Sequence, residues 1–317
     1  MIDYIQLKIC PVQINEDEYL TDVFKREKYE LNAIPSNSIL DKTLPGLGAT
    51  YSEIEAKRNS IIIEPNVPVI KGKTERNNKL LAVYEGVADN KIKNYLLNKD
   101  VEYKKVLCTP ESYLKICKIA NKNNVNLYEN YFCLYDECEK ITQDIDYREQ
   151  ISLPMDDFFL YRNKAFVSAT PLKLRNPEFV AQDFFILKVT PTYEYRKKIN
   201  LITTNNYERS VIDLLEELKN SPCICIFMNS TNGINKLINR LHEKGITDYK
   251  AFCSQKSEIK FKSKNIHQSF EDLDFPLAKY NFFTSRFFSA VDIYTTLCPD
   301  VIILTDLHEA THSRIDP

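Results

Sequence analysis

The chain has 317 residues, with no tryptophan, three methionines, four histidines and only six glycines. So little glycine excludes a collagen-like or glycine-rich low-complexity protein, and 44% hydrophobic with 27% charged residues is an ordered, globular composition. No stretch approaches the roughly 20 apolar residues that a bilayer-spanning helix needs. The opening MIDYIQLKICPVQINEDEYL has neither a basic leader nor a long apolar run, so a soluble, cytoplasmic protein without membrane contact is expected. Charge of one sign is also missing: 42 basic residues against 44 acidic ones give a net charge of -2. No bulk positive field exists, and any contact with nucleic acid must be local. No CxxC occurs, and the nine cysteines are scattered from Cys10 to Cys298, which fits a reducing compartment without disulfides or a structural zinc.

What is present is an alternating grain, in a chain long enough for about two domains of roughly 150 residues. Short apolar runs bounded by turn residues predict buried strands at 60–66, 79–86, 103–109, 130–137 and 164–170. A second series falls at 223–230, 248–254, 280–285 and 300–307. Helix-like segments lie between them: PESYLKICKIANKN after Thr109, NYERSVIDLLEELKNS before Cys223 and TNGINKLINRLHEKG after Ser230. Strand, helix, strand implies mostly parallel sheets covered by helices on both faces. The polar stretch TPTYEYRKKINLITTNN reads as a linker, giving domains at 1–190 and 207–317 with 191–206 between them.

Two of the six glycines, Gly46 and Gly48, fall in DKTLPGLGATYSEIEAK, where a strand-like segment gives way to a helix-like one. A glycine turn there suits either a phosphate loop or an ordinary strand-to-helix turn. NYFCLYDECEK ends a buried strand in Asp136 and Glu137, at the sheet edge where open α/β folds bind ligands. Another strand ends in Ser168-Ala169-Thr170, whose hydroxyls are expected to reach the acidic pair and a phosphate.

In this order the chain resembles the superfamily 2 helicases and translocases, the DEAD/DEAH-box-like enzymes built from two RecA-like domains. PGLGAT looks like the Walker A motif, IIIEPNVPVI like motif Ia, LCTPESYL like motif Ib, DECE like Walker B and SATP like motif III. CIFMNSTNGINKL looks like motif IV and FFTSRFFSAVDI like motif V. The resemblance implies ATP and Mg2+ as cofactors and DNA or RNA as partner. It implies that Gly46, Gly48 and Thr50 surround the phosphates, that Thr50 and Asp136 hold magnesium, and that Glu137 is the catalytic base. Asp292 would reach the nucleotide from the second domain, and Ser168 and Thr170 would couple the two ligands. Pro65, Thr109, Glu111, Ser112, Ser230, Thr284 and Ser285 would face the nucleic-acid backbone.

Two departures qualify the resemblance. The Walker A lysine is replaced by Ala49, and neither Lys42 nor Arg58 stands at its place in the sequence, so nucleotide hydrolysis is expected to be weak. No glycine follows Gly245, so the Gln-x-x-Gly-Arg-x-x-Arg motif VI is missing and the second domain is expected to be incomplete at its end. The alternative reading is therefore a catalytically inactive, helicase-derived binding or scaffold protein. His308-Glu309-Ala310-Thr311-His312 fits H-E-x-x-H, but zinc is not expected, since only five residues follow it. The lysine-rich run Ser254 to Phe270 reads as a solvated edge or a strip along a nucleic-acid strand.

Overall fold

The computed structural model describes residues 4–75, 77–141, 152–170, 174–196, 198–262, 266, 268–270, 276–288, 293 and 295–305. The chain divides into two compact units between Lys197 and Lys198. Among the described residues the first holds eight strands: β1 (Lys8–Ile14), β2 (Ser38–Asp41), β3 (Ser60–Ile63), β4 (Leu80–Val83), β5 (Lys105–Cys108), β6 (Phe132–Tyr135), β7 (Asn163–Ser168) and β8 (Phe185–Pro191). They form one sheet in the order β1-β8-β2-β7-β6-β3-β5-β4, with every pairing parallel. Both units are parallel α/β structures, the architecture expected of RecA-like domains.

The strands read as continuous apolar runs because both sheet faces are covered. Within β3, Ile61 and Ile63 point to one face and Ile62 to the other. Cys133 and Tyr135 of β6 join the first face, Phe132 and Leu134 the second. Helices α1 (Leu20–Arg26), α2 (Ala49–Glu55) and α3 (Val67–Glu75) cover the second face through Leu20, Val23, Phe24, Ala49 and Ile70. Helices α4 (Asp89–Leu97) and α5 (Pro110–Lys122) close the first face with Ile92, Leu96, Tyr113, Ile116 and Ile119. Each large apolar side chain fully buried this way contributes about 1.5–3 kcal/mol.

The second unit holds β9 (Ile224–Met228), β10 (Tyr249–Phe252), β11 (Ser269–Phe270), β12 (Tyr280–Phe283) and β13 (Asp300–Leu304), in the parallel order β11-β10-β12-β9-β13. Helices Tyr207–Glu217 and Thr231–Glu243 pack on one face, against Ile224, Ile226, Ala251 and Phe282. Across the sheet Phe270, Phe252, Phe283, Phe227 and Ile303 form a ladder near the strand ends, each in register with the next. Phe283 stacks on Phe252 and on Phe227 with ring centroids 4.9 Å apart in both cases. Part of the lysine-rich run is helical, at Gln255–Lys262, with Phe261 buried, and its end forms the edge strand β11.

The segment joining the units is exposed: Ile199, Leu201 and Ile202 are 73%, 85% and 57% accessible. An exposed segment without ladder hydrogen bonds opens at little free-energy cost. Limited proteolysis is therefore expected to cut first within 198–206 and to release two protease-resistant fragments; first cleavage within 158–170 would contradict this division.

Candidate functional site

The polar residues of the first unit gather where β2, β7, β6 and β3 end, adjacent strands in that order. β2 runs into Lys42, whose N–H donates to Ser168 O at 2.9 Å. The next residue, Thr43, has a φ of +58°, which is strained for a β-branched side chain. Its hydroxyl donates to Val189 O at 2.5 Å and its N–H to Asp41 Oδ1 at 3.3 Å, and these bonds hold the strain. Gly46 and Gly48 have φ of +76° and +80°, so the two clustered glycines serve a backbone that other residues adopt at a cost. The loop then enters α2 at Gly48, which places Thr50 in the first turn.

Asp136 and Glu137 follow β6. Asp136 is buried, and one carboxylate oxygen accepts from the Thr50 hydroxyl while the other accepts from Glu137 N–H at 2.9 Å. Glu137 has a φ of +49°. The ammonium of Lys42 lies 2.5 Å from Glu137 Oε1 and 3.9 Å from Asp136 Oδ1, in surroundings that leave its side chain 7% accessible. Burial alone would depress Lys42, but the charges of Asp136 and Glu137 outweigh it and hold the ammonium above its ordinary value. Burial likewise pushes Asp136 up, and Lys42, Lys73 and the Thr50 hydroxyl together bring it below the usual carboxylate range.

Lys42, discounted from its sequence position, thus brings a cation to the acidic pair. Arg58 does not: it donates to the buried Glu53 at 3.0 Å and lies over the Phe132 ring at 3.4 Å. There, with Lys105 Nζ 2.9 Å from Ser60 Oγ, it belongs to the opposite edge of the sheet, where β3, β5 and β6 begin.

Three further groups went unread in the sequence. Ile63 pairs in register with Tyr135, so Glu64 and Asp136 emerge side by side. Glu64 is fully buried; its Oε1 accepts from Lys73 at 2.5 Å, and its Oε2 has no hydrogen-bond partner. Lys73, on α3, also donates to Thr50 Oγ1 at 3.0 Å. Burial pushes Glu64 up to about 7, beyond what the attraction of Lys73 offsets. Glu139 is likewise raised to about 7, by burial and then by the adjacent Glu137. The readable signal for Glu64 was an acid directly after a buried strand, as at Asp136; nothing in the spacing pointed to Lys73.

Ser168 was expected to meet the acidic pair. Its hydroxyl lies instead 2.7 Å from Glu139 Oε2, and it accepts from Thr170 N–H at 2.9 Å. The reason is direction: Ser168 ends β7, next to β6, and meets the chain after it has turned past Glu137. Pro65 follows Glu64, and Thr109 precedes α5, where its hydroxyl bonds Ser112 Oγ at 3.2 Å, with Glu111 in the first turn. In the second unit Ser230 caps the helix Thr231–Glu243 by accepting from Gly233 N–H at 3.0 Å. Thr284 is buried and lies 3.2 Å from Phe252 O, while Ser285 is exposed. Asp292 and the His308–His312 pentapeptide lie outside the described residues.

Chemically, the Thr50 hydroxyl and the Asp136 carboxylate are hard oxygen donors suited to Mg2+, which keeps most of its ligands as water or phosphate. Among the described residues, no group of three or more His, Cys, Asp or Glu is arranged to hold a metal by itself.

No protein-family model and no curated protein matches the chain. Among solved structures it is similar to the helicase domain of Hef from Pyrococcus furiosus, at 10% identity over 92% of this chain and 95% of that one, with a TM-score of 0.47. The Mycobacterium smegmatis helicase Lhr, bound to ssDNA and AMP-PNP, gives 14% identity over 86% of this chain and 42% of that one, with a TM-score of 0.46. The yeast DEAD-box splicing factor Prp28 gives 10% identity over 90% and 76%, with a TM-score of 0.38. Overlaps this loose do not assign the chain an activity.

Glu64 makes the stability of the first unit depend on pH. Its ordinary value is 4.5 and its folded value about 7, so between them the folded state holds more protons and stability falls as pH rises. Urea denaturation at pH 5 and pH 7.5 is expected to show this fall. Glu64→Gln should shrink the difference by on the order of 2 kcal/mol; an unchanged difference would refute the assignment.

Proposed function

We propose that the first unit binds a magnesium nucleotide at the end of β2, and that the chain is a helicase-like P-loop protein acting on nucleic acid, with slow ATP turnover. The observation that carries this reading is the meeting of Thr50 with Asp136 beneath a loop whose two glycines adopt left-handed conformations. A backbone of that shape presents N–H groups to an anion. Thr50 and Asp136 would hold magnesium, which would screen the phosphate charge. Glu137 is the candidate base, and its contact with Lys42 orients it. Ser168 and Glu139, hydrogen-bonded at 2.7 Å, link the acidic segment to the end of β7 and are the candidate coupling elements.

Pro65, Thr109, Glu111 and Ser112 in the first unit, with Ser230, Thr284 and Ser285 in the second, are proposed to lie along DNA or RNA. Local bonds already occupy Thr109, Ser112, Ser230 and Thr284. The grip would therefore rest largely on backbone N–H groups at strand ends and helix starts. The inactive-scaffold reading draws on Ala49, which is 5% accessible and packs in the apolar cluster with Leu47 and Val23. At that position the chain offers a methyl group and no charge.

Calorimetry with MgATP separates the two readings. Binding is expected at about millimolar nucleotide or below and should be lost in Asp136→Ala. Glu137→Gln should retain binding while lowering any turnover about a hundredfold or more. Absence of binding by the unaltered protein, together with undiminished affinity for a single-stranded oligonucleotide, would favour the scaffold.

A further inference from the structure

We infer that Lys42 is the phosphate-binding cation of this site, an ammonium delivered from the end of β2 in place of the one Ala49 lacks; the inference rests on the nucleotide-binding reading above. Lys42 and Glu137 leave strands separated by β7, and two strand spacings are about 10 Å. Their charged ends are nevertheless 2.5 Å apart, so the two side chains lean toward each other over the end of β7. The lysine is anchored at its base by the bond from its N–H to Ser168 O at 2.9 Å. Its backbone leads directly into the glycine loop through the strained Thr43. The ammonium is thus held against the acidic pair, on the residue from which the loop that would cradle phosphates departs.

Lys73, the other cation near Thr50, is tied to the fully buried Glu64 at 2.5 Å. Withdrawing it would strand a carboxylate whose second oxygen already has no hydrogen-bond partner. Lys42 is less restrained, because Asp136, 3.9 Å away, also accepts from the Thr50 hydroxyl and from Glu137 N–H. Glu137, its nearest partner, is 14% accessible at the side chain and sits at the rim, where water can take over its hydration. A phosphate oxygen can therefore compete with Glu137 for the ammonium, which needs to turn only about its four-carbon stem. A lysine so placed acts as a point charge on phosphate, the same role on any polyphosphate.

The test is MgATP and MgAMP calorimetry on the full chain, with thermal melts to establish folding. Lys42→Met is expected to weaken MgATP binding about tenfold or more, the usual effect of losing a charge-assisted hydrogen bond. It should weaken MgAMP binding far less, so that the ATP-to-AMP preference collapses, which a purely structural role would not produce. Lys42→Met combined with Ala49→Lys should restore most of that preference by returning the charge to the loop. If the double variant does not fold, Lys42→Arg decides: retained preference supports the inference, and loss as deep as in Lys42→Met overturns it. The inference is also overturned if folded Lys42→Met binds MgATP as the unaltered protein does, or if the folded double variant recovers nothing. Failure of the unaltered protein to bind MgATP instead removes the nucleotide-binding reading, and this inference with it.

Discussion

Four carboxylates, Glu64, Asp136, Glu137 and Glu139, converge at one edge of the first sheet, and two lysines permit them to do so. A buried carboxylate left without a partner costs several kcal/mol, and those cations offset that cost. Lys42 serves the pair after β6 and Lys73 serves Glu64, with the Thr50 hydroxyl joined to both Lys73 and Asp136. The chain of contacts fixes α2, α3 and the ends of β2, β3 and β6 relative to one another. Thus the conformation of the glycine loop and the charge of the acidic segment are set by a single polar network.

The opposite edge of the sheet solves a similar problem without leaving room for a ligand. Glu53 is fully buried there, held by Arg58 and Lys105, and Lys105 also donates to the Glu53 carbonyl oxygen at 2.5 Å. Arg58 is sandwiched further by the Phe132 ring. Both carboxylate oxygens of Glu53 are occupied, whereas Glu64 retains one vacant oxygen and Glu137 stays partly accessible. The contrast between a closed ionic cluster and an open one separates a structural feature from a candidate site more sharply than the count of charges does.

The central strands were readable in the sequence because burial on both faces demands apolar residues at every position, as in Ile61-Ile62-Ile63. β1 and β8, at one side of the sheet, were not. β1 at the edge carries Pro11 and exposed Lys8 and Ile9, and β8 alternates buried Leu187 and Val189 with exposed Lys188 and Thr190. Such half-covered strands resemble polar loops, and the last residue of β8, Pro191, was read into the linker. At the site, Thr50, Asp136 and Glu137 were legible from strand ends and the glycine pair. Lys42 was discounted because its distance from Ala49 along the chain says nothing about a side chain leaning across β7. Lys73 was invisible because its partnership depends on the angle at which α3 returns from β3.

The register of β1 against β8, which joins Lys8 to Phe185 and Ile14 to Pro191, sets a condition on how this polypeptide is made. A ribosome adding roughly 5–20 residues per second would release β1 many seconds before β8, the strand it pairs with among the described residues, exists. Among the described residues every pairing in this sheet is parallel, so the other strands also wait for a partner beyond an intervening crossover, and such non-local pairing is intrinsically slow. β1 therefore stays unpaired through much of synthesis, kept from premature association by Pro11 and by the polar side chains that mark it as an edge. Assembly of the first unit is completed, rather than begun, by its N-terminal segment.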